Sequence, residues 1–85
     1  MITVKEAVEI ALRFADEVLG QAKLIDPRLE EVEVEEGPTW RVTVSFVREP
    51  SRLTEILGPP DREYKVLTID GASGEVYSMK IRQPA

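Results

Sequence analysis

At 85 residues the chain is long enough for one small core and no second one, so a single domain over residues 1–85 is expected. The absence of Cys excludes a disulfide framework and thiolate chemistry, and the absence of His removes the commonest general base and transition-metal ligand. The net charge of −5 sits in residues 1–36, with four basic and ten acidic side chains against seven and six in residues 37–85; so acidic a first half opposes a phosphate backbone, and no nucleic-acid partner is expected.

Along the first twenty positions Lys5, Glu6, Glu9, Arg13, Asp16 and Glu17 are spaced through the apolar residues. That spacing is not the core of a signal peptide, and no stretch reaches the roughly 18–20 apolar residues of a membrane span. A cytoplasmic protein with no leader and no membrane partner is the expectation. Thr3 and Glu6 have the spacing of a capping box, with Ile2 placed as its hydrophobic staple. Behind them Val4, Ala7, Val8, Ile10, Ala11, Leu12, Phe14, Ala15, Val18, Leu19 and Ala22 share an apolar arc of about 200° at helical periodicity. The pattern predicts a helix sunk deep into a sheet, with Val4, Val8, Ala11 and Val18 filling the space beneath it. Gly20 and Asp26-Pro27 place its end between Leu19 and Leu24.

Glu30 to Glu36 alternates with period 2, glutamates on one side and Val32 and Val34 on the other. Gly37-Pro38 breaks it, and Trp40, Val42, Val44 and Phe46 then alternate with Arg41, Thr43 and Ser45. This reads as an antiparallel hairpin with Trp40 anchoring the core. Residues 49–62 are irregular; a loop packed by Leu53, Ile56 and Leu57 and a single helical turn remain equal alternatives, with Gly58-Pro59-Pro60 ending either.

Tyr64–Asp70 and Glu75–Arg82 read as a second hairpin around Gly71-Ala72-Ser73-Gly74. Pairing Asp70 with Glu75 puts Tyr64, Val66 and Thr68 on one face with Tyr77, Met79 and Ile81, and that face is expected inward. Lys65, Leu67 and Ile69 with Val76, Ser78 and Lys80 then face outward, leaving Leu67, Ile69 and Val76 as an exposed apolar patch. The fold class expected is α+β: one long N-terminal helix packed on a four-stranded antiparallel sheet of two hairpins.

The helix Thr3-Val4-Lys5-Glu6-Ala7-Val8-Glu9-Ile10-Ala11, the strand Trp40-Arg41-Val42-Thr43-Val44 and the run from Tyr64 through Ile69-Asp70-Gly71-Ala72-Ser73-Gly74-Glu75-Val76 together resemble the PepSY domain, loosely over residues 3–82. The resemblance implies a cystatin-like helix on a curled antiparallel sheet. It also implies a non-catalytic role, binding and restraining peptidases or, more broadly, serving as a binding module.

Individual candidates mostly read as architecture. Asp70, Ser73, Gly74 and Glu75 suit a tight turn better than a Ca²⁺ loop, which needs further alternating carboxylates. Glu31, Glu33 and Glu35 form a solvated row that discourages edge pairing or docks a basic partner. The serines lack a His, and no cofactor or metal is expected. Lys65 and Lys80 are expected as outer-face neighbours among several basic residues without the interleaved aromatics of a nucleic-acid surface. The functional expectation is a small, non-enzymatic protein-binding or regulatory module, engaging a protein partner or a second copy through Leu67, Ile69 and Val76 with Arg52, Leu53 and Ile56. A peptidase-inhibitor-like regulator and a small-ligand-binding domain are the alternatives.

Overall fold

The computed structural model describes residues 1–20, 24–48 and 62–82. Arg52, Leu53 and Ile56, with the loop or helical turn expected around them, lie outside the described residues. The described elements are one helix, α1 (Val4–Val18), and four strands, β1 (Leu24–Glu35), β2 (Thr39–Arg48), β3 (Glu63–Asp70) and β4 (Val76–Ile81). The strands form one antiparallel sheet in chain order with α1 packed on one face, an α+β fold as the sequence pattern predicts.

The helix starts where the capping box places it. The Thr3 hydroxyl accepts the Glu6 N–H at 3.1 Å, and the Glu6 carboxylate accepts the Thr3 N–H at 3.0 Å. Ala7, Ala11 and Ala15, four residues apart, are its fully buried positions, and their small side chains let the helix backbone approach the sheet closely. They meet Val42, Val44 and Phe46 of β2 and Leu67 and Ile69 of β3 in one cluster. Val8, Ile10, Leu12 and Phe14 pack partly buried against that cluster. The expectation of a deeply sunk helix is therefore corrected: Val4 and Val18 are 47% and 55% exposed and do not fill the core, because the fully buried contact with the sheet narrows to the alanine stripe.

The sheet register sets the two faces. Val42 pairs with Val32 on one side and Leu67 on the other, and Trp40 pairs with Val34 and Ile69. Trp40 packs against the core as expected, although its Nε1 is buried with no hydrogen-bond partner among the described residues.

The facing of the last two strands differs from the sequence expectation. Leu67 and Ile69 are fully buried beneath α1, whereas Tyr64, Val66 and Thr68 face away from it. Near the turn the pairing is the expected one, Ile69 with Val76, but a bulge then shifts β4 by one residue, so Met79 pairs with Leu67 and Ile81 with Lys65. The shift places Met79 and Ile81 on the α1 side with Leu67 and Lys65, the face expected for them, while Tyr77 at the bulge is 60% exposed rather than inside. The outer patch of Leu67, Ile69 and Val76 does not exist as an exposed surface. Burying two large aliphatic side chains outweighs keeping Lys65 of the same face in water, and Lys65 is carried inward with its ammonium 3.8 Å from the Glu63 carboxylate.

The turn between β3 and β4 forms as expected. The Asp70 N–H donates to the Glu75 carbonyl and the Gly74 N–H to the Asp70 carbonyl, each at 2.8 Å, and Gly74 takes φ +79°. This turn is tied to the rest of the fold through Gly71, whose carbonyl accepts the Ile2 N–H at 2.7 Å and whose N–H donates to Pro38 at 3.1 Å. A Cβ at position 71 would stand 2.9 Å from the Pro38 carbonyl oxygen, so only glycine fits where the two hairpin turns meet the N-terminus.

Candidate functional site

Two surfaces of the described residues carry enough chemistry to weigh. The first is the sheet face away from α1, a shallow depression of about 470 Å³ lined by Glu31, Arg41, Thr43, Val66, Thr68, Lys80, Ile81 and Arg82. Its charges are largely satisfied in place. Arg82 lies 3.5 Å from Glu31 and donates to the Thr43 hydroxyl at 3.2 Å, and Arg41 lies 3.1 Å from Glu35. Glu31, Glu33 and Glu35 pair with Thr43, Arg41 and Thr39, so the expected glutamate row is formed, and arginines of β2 and β4 answer it. Within the row the hydrogen bond between the two carboxyl groups lowers the Glu31 pKa, helped by Arg82, and raises that of Glu33. Glu30, displaced by a bulge in β1, accepts a hydrogen bond from the Ser45 hydroxyl at 2.8 Å. Lys65 takes no part in this face, contrary to the expected Lys65–Lys80 pair; Lys80 stands opposite Val66.

The second surface lies where α1 passes the final hairpin. Here a groove of about 610 Å³ has Ile2, Ile10, Phe14 and Val76 along it, with Glu6, Glu17, Glu75 and Arg13 at its rim. The helix periodicity makes the groove: Glu6, Ile10, Arg13, Phe14 and Glu17 recur at three- and four-residue intervals and share one flank. The rim has three carboxylates to one guanidinium. Glu6 is held below the ordinary carboxyl range by the hydrogen bonds it exchanges with Thr3 and is anionic at neutral pH.

The groove meets β4 at Val76, and β4 pairs only with β3 among the described residues. The Arg82 N–H donates to the Tyr64 carbonyl at 3.0 Å. Alternation along an antiparallel strand then turns the N–H and C=O groups of Ile81 and Met79 away from β3, to the open side. Both edges of the sheet belong to terminal strands, but they are not equally protected. β1 carries Pro27, two register shifts and a run of glutamates, features that discourage another strand. β4 has one bulge near its start, and beyond it come Met79, Lys80, Ile81 and Arg82, with Ile81 72% exposed.

Of the described residues expected to bind, Leu67 and Ile69 are buried in the core, and Val76 reaches the groove, half-buried. Ile10, Phe14 and Ile81 are the residues that sequence reasoning assigned to the interior. The signal for the edge was nonetheless present, because two consecutive hairpins in a four-strand meander leave the first and last strands unpaired on one side.

No protein-family model, curated protein or solved structure matches the chain, and nothing in these comparisons identifies a PepSY domain.

Proposed function

We propose that the chain is a small, non-catalytic protein-binding module that accepts an extended segment of a protein on the open edge of β4, beside the α1–β4 groove. The observation that carries the reading is that β4, which meets an acidic-rimmed apolar groove at Val76, has outward-turned backbone groups at Met79 and Ile81 that are unpaired among the described residues. Strand addition of this kind draws its affinity from main-chain hydrogen bonds and its selectivity from alternate side chains reaching neighbouring pockets. The segment that suits it has apolar residues at alternate positions, turned toward Ile10, Phe14 and Val76, and Lys or Arg where its end meets Glu6, Glu17 and Glu75. A sequence without His or Cys is in keeping with a binding role.

Selection of a random peptide library on the immobilised protein tests the reading. The expected result is enrichment of peptides with apolar residues at alternate positions and Lys or Arg near one end, whose binding is lost in Ile81→Pro and weakened in Glu6→Lys/Glu17→Lys. Ile81→Pro removes an N–H that bonds nothing in β3, so the fold is retained while the edge is blocked. Peptides that bind the proline variant as well as the wild type, or no enrichment, overturn it.

A further inference from the structure

We infer that the segment accepted at this edge carries an Asp or Glu opposite Lys80, between two apolar residues; the inference rests on the strand-accepting reading above. Residues 24–48 and 62–82 hold seven basic side chains, and six of them lie within 3.8 Å of a carboxylate oxygen. Lys80 is the exception. It is exposed on the edge strand and has no carboxylate partner among the described residues.

Its place in the sheet explains the difference. Lys80 stands opposite Val66 on the face away from α1 and lines the depression there with Arg41, Arg82 and Glu31. Glu31 is committed to Arg82 at 3.5 Å, and Arg41 takes Glu35 at 3.1 Å. These glutamates belong to β1, which β2 and β3 separate from β4. A strand added beyond β4 supplies the neighbour that Lys80 lacks. A lysine on an edge opposes a basic or wholly apolar segment, which would cover the ammonium without answering it. A carboxylate answers it, so Lys80 selects among incoming strands.

The hydrogen-bond alternation fixes which residue of the segment is concerned. Met79 and Ile81 turn their N–H and C=O groups outward, so in antiparallel addition they form the hydrogen-bonded pairs. Lys80 between them then falls at a non-hydrogen-bonded pair, where opposite Cα atoms are about 4.5 Å apart and side chains approach most closely. The residue facing Lys80 shares its face, away from α1. The residues before and after it lie on the α1 side with Met79 and Ile81, and apolar side chains there cover Ile81, which is 72% exposed. The segment is thus apolar–acidic–apolar along Met79 to Ile81 and basic only where it meets the groove rim near Val76.

The experiment takes peptides selected on the wild-type chain and resynthesises them with Glu, Gln or Lys at each position between apolar residues in turn. At one such position the wild type is expected to bind the Glu form about fivefold more tightly than the Lys form. Lys80→Glu should reverse that order, and the difference should fade in about 1 M salt. Lys80→Gln, which removes the charge without adding another, should bind the two forms within about twofold of each other. An unchanged far-ultraviolet spectrum shows that each variant keeps the fold. Peptides lost in Ile81→Pro that show no Glu preference at any such position, or a preference that survives both Lys80→Glu and Lys80→Gln, overturn the inference and leave the strand-accepting reading standing. Binding indifferent to Ile81→Pro, or no binding at all, overturns both.

Discussion

Val42 of β2 and Leu67 of β3 stand opposite each other at the centre of the sheet, both fully buried in the cluster that includes Ala7, Ala11 and Ala15. The contact joins the two hairpins to the helix, so a cavity there is felt by all three. Leu67→Ala is expected to cost about 2–5 kcal/mol. A domain of this size has total stability of about 5–10 kcal/mol, so Leu67→Glu is expected to unfold it. Urea denaturation followed by circular dichroism measures the first; a loss below about 1 kcal/mol would contradict the burial.

The helix, its capping box and the second turn were legible in the sequence because each is a local pattern: Thr3 and Glu6 at capping spacing, and Asp70 to Gly74 with turn chemistry. The facing of β3 was not, because parity along a strand is a single yes-or-no choice and one charged residue can tip it the wrong way. Lys65 argued that Leu67 and Ile69 face water, yet its long side chain allows burial beside Glu63. The bulge at Tyr77 then returned Met79 and Ile81 to the α1 side where they were expected and left Tyr77 outside, and nothing in Val76-Tyr77-Ser78 announces a bulge. The candidate site inherited that error: a patch reasoned to be outside is core, and the open surface is an edge, a property of strand order rather than of residue type.

Gly74 closes the β3–β4 turn at φ +79°, and a Cβ there would stand 3.1 Å from Ile10 Cδ1. Gly74→Ala is therefore strained in its backbone and crowded against the groove wall. A loss of about 1–2 kcal/mol is expected from the backbone alone. Gly74→Asn, which tolerates the left-handed region better, should lose less than Gly74→Val by chemical denaturation; equal losses would mean that φ is not the controlling feature.

Asp70 ties the same turn. Its carboxylate accepts the Ser73 hydroxyl at 2.7 Å and the Ala72 N–H at 3.2 Å, and these bonds hold its pKa below the usual value of 3.8. A carboxyl whose folded pKa is depressed contributes stability above its unfolded pKa, and the contribution is lost as pH falls through the folded value. Asp70→Asn should thus lower the melting temperature at neutral pH and make less difference at low pH, once pH has fallen through the folded value. A deficit of equal size at both pH values would show that shape, not charge, is what the turn requires.

Glu33 behaves in the opposite sense. Its hydrogen bond with Glu31, and then the Glu31 charge itself, raise its pKa above 4.5, so the folded chain holds this proton more tightly than the unfolded one. The corresponding stability is present below the unfolded pKa and is lost as pH rises through the folded value, leaving two anionic side chains adjacent at neutral pH. Glu33→Gln keeps a donor for Glu31 and removes one of those charges, while Arg82 still lies 3.5 Å from Glu31. The variant is expected to melt higher than the wild type at neutral pH, with the difference vanishing at about pH 3, where Glu33 is protonated. Thermal melts across that range decide it: a difference that does not change with pH would remove the shared proton from the account of this face, leaving only the arginines to organise the glutamate row.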